Sequence, residues 1–202
     1  MDIVPEATGE PTWMQRMPEA QRRRMREGRH PADPRRIGSS IAVVGGLVFA
    51  WSYGDGAVAE PWLLVLRILA TVLAALCVWR LFLAPAALGA PAAPHRFAWL
   101  IYLGSVAAML AAIAGGRALL VAIDAPHAAA SWIAVCVGLH FIPFALAFRE
   151  RMLARLGIVV AGAGSLGVIL ALTLGAPWGE LFAVVAGIAQ LAVLTAWALQ
   201  RR

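Results

Sequence analysis

The chain has 202 residues, 61% of them hydrophobic, and 17 basic against 11 acidic residues give it a net charge of +6. A soluble domain is about 45–50% apolar, and here the excess is gathered into long uninterrupted runs, so lipid is the solvent for most of the chain and a conventional water-soluble enzyme is disfavoured. The charge alone would suit a nucleic-acid surface, but every basic residue is Arg, and all except Arg67 and Arg117 fall on one side of the topology derived below. That is the positive-inside pattern of a membrane protein, and no nucleic-acid partner is expected.

Residues 1–36 are polar, with eight arginines offset by six acids from Asp2 to Asp33. Pro18 and Gly28 are placed to open and close a short helix. Two readings follow. Trp13, Met14, Met17 and Met25 could rest on the lipid surface while the arginines meet anionic headgroups. Alternatively the segment is a mobile cytoplasmic tail that only sets orientation, which the charge runs favour.

Six apolar spans follow, at about 37–53, 61–84, 97–116, 128–148, 156–174 and 179–199, each near the length that crosses a bilayer as a helix. Span 1 is followed by Ala57-Val58-Ala59, so it resembles a secretory signal with its cleavage site, but the polar leader is unusually long and a retained helix is expected. In span 2, Arg67 lies about 9 Å along the helix and leans toward the outer surface, where it can snorkel. Residues 85–96 form an Ala- and Pro-rich linker. Span 3 stays apolar to Ile123 but carries Gly115-Gly116-Arg117, and a break at the glycines is expected. Arg117 would lean back into the membrane there and so needs either an emerging helix end or an acidic partner, for which Asp124 and Glu180 are the candidates by depth. Span 5 carries Gly157, Ala161 and Ser165 at four-residue spacing, with Gly162 and Gly164 nearby; small residues so spaced let helix backbones approach closely.

Alternating six spans puts both termini on the arginine-rich side, which the positive-inside rule makes cytoplasmic. The expected fold is therefore all-α: a six-helix transmembrane domain over residues 37–202, preceded by an Arg-rich cytoplasmic segment over residues 1–36. The expected partners are the bilayer, anionic headgroups at the cytoplasmic Arg clusters, and either a second copy or another membrane subunit.

An ionisable side chain inside a span is a functional candidate because burying it is costly. His140 sits in span 4, three residues before Pro143, which has no N–H and so frees the carbonyl of Leu139. A histidine beside a freed carbonyl could hold a proton, an ion or a polar solute, and Arg67 or Gln190 in span 6 could extend the path. The structural alternative is a neutral histidine hydrogen-bonded to a neighbouring helix. Cys136 lies four residues before His140, on the same helix face, but Cys77 would lie roughly 12 Å deeper, so no metal site is expected. Ser165 has no adjacent base, and no phosphate loop, HExxH or CxxC occurs, so neither a catalytic residue nor a cofactor is assigned.

The run Gly138-Leu139-His140-Phe141-x-Pro143, followed by an Arg-rich turn, resembles small multi-pass bacterial inner-membrane proteins of unassigned function. The resemblance covers spans 4 and 5 and implies location and fold rather than activity. The expected function is a transporter or channel for a small solute or proton, lined by His140, Pro143, Arg67 and Gln190, since a chain this apolar has few other roles; the alternative is a non-catalytic membrane scaffold, an assembly or accessory subunit in which His140 is packing.

Overall fold

The computed structural model describes Met14 and residues 16–200. They form an all-α bundle: α1 (Glu19–Arg26), α2 (Pro34–Ser52), α3 (Glu60–Val78) prolonged by a π-helical turn (Trp79–Leu83), α4 (Ala98–Ala122), a 3₁₀ turn (Pro126–Ala128) leading into α5 (Ala129–Phe148), α6 (Arg151–Leu174) and α7 (Pro177–Gln200). Five stretches are long and apolar enough to cross a membrane: Glu60–Leu83, Ala98–Ala122, Pro126–Phe148, Arg151–Leu174 and Pro177–Gln200. Helix α2, the expected first span, is not among them, because Arg35 and Arg36 occupy the first turn of its 19 residues.

α7 is the centre of the bundle. It packs against α6, α2, α3 and α5, and 56% of its apolar window is buried, whereas the same measure for α4 is 6%. α4 packs on α5 and leaves Leu100, Leu103, Leu110, Leu119 and Val121 exposed. α2 runs antiparallel to α7 from Ala42 onward. Ala42 lies opposite Gln190, Gly46 opposite Gly187 and Leu191, and the N–H of Gly54 donates to Glu180 near the start of α7.

The most extensive contact is between α5 and α6, and it is built on missing side chains. A Cβ on Gly138 would run into the backbone of Ala161, one on Gly157 would come within 2.7 Å of the Gly138 carbonyl oxygen, and one on Gly164 within 2.6 Å of the Val135 amide. Gly167 extends the seam toward Ser131 and Phe182. Two of the expected packing residues lie elsewhere: Gly162 has open space at its Cβ, and Ser165 is exposed. The reason is helical pitch. At about 100° per residue, positions seven apart realign to within about 20°, while a four-residue row drifts by about 40° at each step. Gly157, Ala161 and Gly164 therefore share a face that Ser165 has left.

α4 also departs from expectation, since it runs through Gly115-Gly116-Arg117 without a break. Gly116 is a notch: a Cβ there would collide with the indole of Trp132, whose Nε1 donates to the Ala112 carbonyl at 2.9 Å. The glycine lets a large α5 side chain reach the α4 backbone, and the helix is kept because its hydrogen bonds survive.

The segment before α2 is docked. Asp33 caps α2 by accepting from the Arg35 amide at 2.9 Å, with Pro34 at the first helical position. The Arg36 side chain is fully buried and donates to the carbonyls of Gly28 (2.6 Å), Ala86 (2.6 Å) and Leu81. Arg35 pairs with Asp33 at 2.7 Å and donates to Leu88 (2.9 Å) and Gly89 (2.6 Å). The carbonyls at the end of a helix have no partners within it, and a cation there also meets the negative end of the helix dipole. Arg36 thus closes off the α3 terminus, and Arg35 ties down the linker that follows. Gly28, at φ +67°, ends α1 in the left-handed region and lies against Leu88 and Gly89. A mobile tail was the favoured expectation for this segment, but Met25 and Met14 are buried within the protein; Trp13 lies outside the described residues.

Gly164→Leu should lower the melting temperature in detergent by roughly 5 °C or more, and Gly162→Leu should leave it nearly unchanged. A similar loss for both would contradict the α5–α6 seam. Arg36→Met should cost about 3 kcal/mol in denaturant unfolding, because it leaves several carbonyls unpaired. Arg35→Met, which strands the buried Asp33 carboxylate and two linker carbonyls, should cost a similar amount.

Candidate functional site

His140 lies on the face of α5 that meets α4. Its Nδ1 is 3.5 Å from Ser105 Oγ, at the limit of a hydrogen bond. Ser105 gives its own hydrogen to the Tyr102 carbonyl at 3.2 Å, so its oxygen is free to accept from the ring, which favours the Nδ1–H tautomer. The imidazole is otherwise held by aromatic rings: Phe144 edge-on at 4.3 Å, Phe141 at 4.9 Å, and Tyr102 behind Phe144 at 4.9 Å. Beside it is a cavity of about 250 Å³ between α4 and α5, lined among others by Ser105, Met109, Trp132, Cys136 and Pro143. Pro143 sits inside a continuous α5, and its ring forms part of the cavity wall.

The other side chains expected on a path with His140 face different helices. Gln190 is buried between α7 and α2, where its Nε2 donates to the Ala42 carbonyl at 2.6 Å. Arg67 points to the loop after α2: it pairs with Asp55 at 2.9 Å and lies over the Trp51 ring at 5.5 Å. Arg117 is exposed on the last turns of α4 and forms no ion pair among the described residues. Glu180 accepts from the Gly54 amide at 3.2 Å, and Asp124 turns the chain after α4 at φ +56°.

Most interior polar groups contact main-chain carbonyls of other elements. Ser131 donates to Gly179 at 2.6 Å, joining α5 to α7, and Thr195 donates to Leu73 at 2.9 Å, joining α7 to α3. His127 Nε2 contacts the Ala171 carbonyl at 3.1 Å, which requires the ring hydrogen on that nitrogen. Cys136 lines the His140 cavity, whereas Cys77 is buried in the main core on α3. Among the described residues no three His, Cys, Asp or Glu side chains come together as a metal-binding group.

Reading the sequence alone passed over Ser105, Tyr102 and Trp132, which complete the His140 environment. Ser105 and Tyr102 carried a usable signal as polar side chains within an apolar span, but what they face depends on how α4 is rotated, and α4 has no apolar stripe to fix that.

No protein-family model, curated protein or solved structure matches the chain. What the sequence resemblance carries is architecture, and the fold bears that much out: this is a polytopic, mostly α-helical membrane protein.

If the imidazole is held chiefly by ring packing, His140→Phe should melt within about 2 °C of the parent, while His140→Ala, which enlarges the cavity, should lose about 2 kcal/mol. Equal losses would mean that the Ser105 contact outweighs the rings.

Proposed function

We propose that the protein spans a bacterial inner membrane six times, with both termini, and residues 1–36, in the cytoplasm and residues 37–202 as the transmembrane domain. The positive-inside distribution supports the orientation. The antiparallel packing of α2 on α7 from Ala42 to Gly54 supports counting α2 as a span, since it lies beside a helix that is long and apolar enough to cross. Within this frame the protein acts as a non-catalytic membrane scaffold or accessory subunit. The observation that carries this is the use of interior polar side chains: Gln190, Ser131 and Thr195 each join two helices through a backbone carbonyl. A transport path needs polar groups that remain available to a solute. Lipid is the principal partner, and a second copy or another membrane subunit would complete the assembly.

Transport of a small solute or proton remains the second reading, favoured by the cavity that His140 and Ser105 share. Reconstituted vesicles separate the two. The scaffold reading expects no proton flux above empty vesicles from about pH 5.5 to 7.5, the range in which an ordinary histidine titrates. Flux that His140→Phe, which keeps the ring packing and removes the titratable group, abolishes would reverse the conclusion. The topology has its own test. Reporter fusions after Asp55, Asp124 and Pro177 should read periplasmic, and a fusion to the C-terminus cytoplasmic; a cytoplasmic reading at Asp124 would exclude six alternating spans.

A further inference from the structure

A cavity of about 620 Å³ lies between the first turns of α6 and the last turns of α7, away from His140. One wall carries Arg151, Arg155 and Val159, four residues apart and so on one face of α6. The other carries Val193, Ala196, Trp197 and Gln200, spaced as one face of α7. The two helices run in opposite senses, so the lining grades along the bilayer normal. The charged and amide side chains stand at the helix ends, and Val159 and Val193 lie about 10 Å deeper on a rise of 1.5 Å per residue.

Two observations mark the mouth as a site for an acceptor. Trp197 is only 8% exposed, and its indole N–H is buried without a hydrogen-bond partner among the described residues. A buried donor left unpaired is costly, and indole N–H groups usually find an acceptor. Arg151 and Arg155 are exposed, and among the described residues neither guanidinium forms an ion pair or hydrogen bond. Glu150 also lines the mouth, but its carboxylate accepts from the Met152 amide at 3.4 Å, as the cap of α6. The balance of charge at the mouth is positive.

We propose that this cavity binds one anionic phospholipid, its phosphate held by Arg151 and Arg155, an ester or phosphate oxygen accepting from Trp197, and an acyl chain running inward past Val159 and Val193. Guanidinium groups suit phosphate because they offer paired, charge-assisted donors. The gradient from cationic to apolar selects a lipid over a free anion, since an isolated phosphate would leave the deeper half of the cavity unfilled. The proposal takes from the topology above only the leaflet that supplies the lipid.

The test uses the full-length protein in a mild detergent, titrated separately with short-chain phosphatidylglycerol, short-chain phosphatidylcholine and inorganic phosphate. The readouts are melting temperature and retained lipid by native mass spectrometry. Phosphatidylglycerol should stabilise the parent and stay bound, and phosphatidylcholine should do so at least about five-fold more weakly. Arg151→Gln with Arg155→Gln should weaken phosphatidylglycerol by about ten-fold, a loss of about 1.4 kcal/mol. Both side chains are exposed, so the core is left intact. Trp197→Phe, which keeps the ring and removes the donor, should weaken it by about three-fold. Arg96→Gln removes one such charge from outside the cavity and should change nothing. Unaltered binding by the double variant, an equal loss in Arg96→Gln, or equal stabilisation by inorganic phosphate would each overturn the assignment. Inverted reporter fusions would move the lipid to the other leaflet and leave these titrations unchanged, so the two readings fail separately.

Discussion

A polar group within a bilayer has no water to fall back on, and most of this fold can be read as the consequence. Backbone groups are met by making helices. Side-chain donors are met by carbonyls of neighbouring helices, which already accept one bond and can take a second. Ser131, Thr195, Gln190 and Trp132 all follow this rule, and each joins two helices in doing so. Arg36 is the extreme case. A buried guanidinium would be very costly alone, yet it lies where the last turn of α3 and the linker leave carbonyls pointing inward. Removing it from the sequence would expose the converse problem, a helix end with no donors.

The same economy sets how closely the helices approach. Lipid tails are as apolar as leucine, so association within the membrane depends on contact area and cross-helix hydrogen bonds rather than on exclusion of water. Glycine provides both. At Gly46 and Gly187 the backbones of α2 and α7 come near enough for Gln190 to reach Ala42, and at Gly116 the missing side chain lets Trp132 reach Ala112. Notch and hydrogen bond coincide at both places, and α7, which packs on four other helices, is the most buried of the candidate crossing helices.

Most of the architecture was legible in the chain. Apolar runs marked all five crossing helices, Pro18 and Gly28 bracketed α1, and Gly157, Ala161 and Gly164 marked a packing face. What was lost follows from what a single sequence omits. Gly115-Gly116 reads as a break until Trp132, sixteen residues later, is known to fill the notch. Arg35 and Arg36 read as an orientation signal, because nothing local reveals that residues 81–89 present carbonyls to them. The site suffered more than the fold. His140, Gln190 and Arg67 are each unusual within a span, so composition groups them, but helix rotation decides whether they meet, and here they face α4, α2 and the loop after α2.

That separation bears on what the bundle can do. A proton or ion crossing about 30 Å of hydrocarbon needs polar groups in succession, each able to release what it has accepted. Gln190 holds the Ala42 carbonyl at 2.6 Å through its amide nitrogen, and Arg67 is paired with Asp55 in the loop after α2. His140 looks into a cavity whose remaining named walls, Ser105 apart, are Met109, Trp132, Cys136 and Pro143. The end where α6 begins and α7 closes is different in kind. There, the arginines of α6 and the indole of Trp197 stand beside a groove with donors still to give. Donors left unpaired at a membrane surface favour holding an anion in place over moving it across, and a bundle whose interior polar groups serve its own helices is suited to being a fixed part among lipids and other subunits.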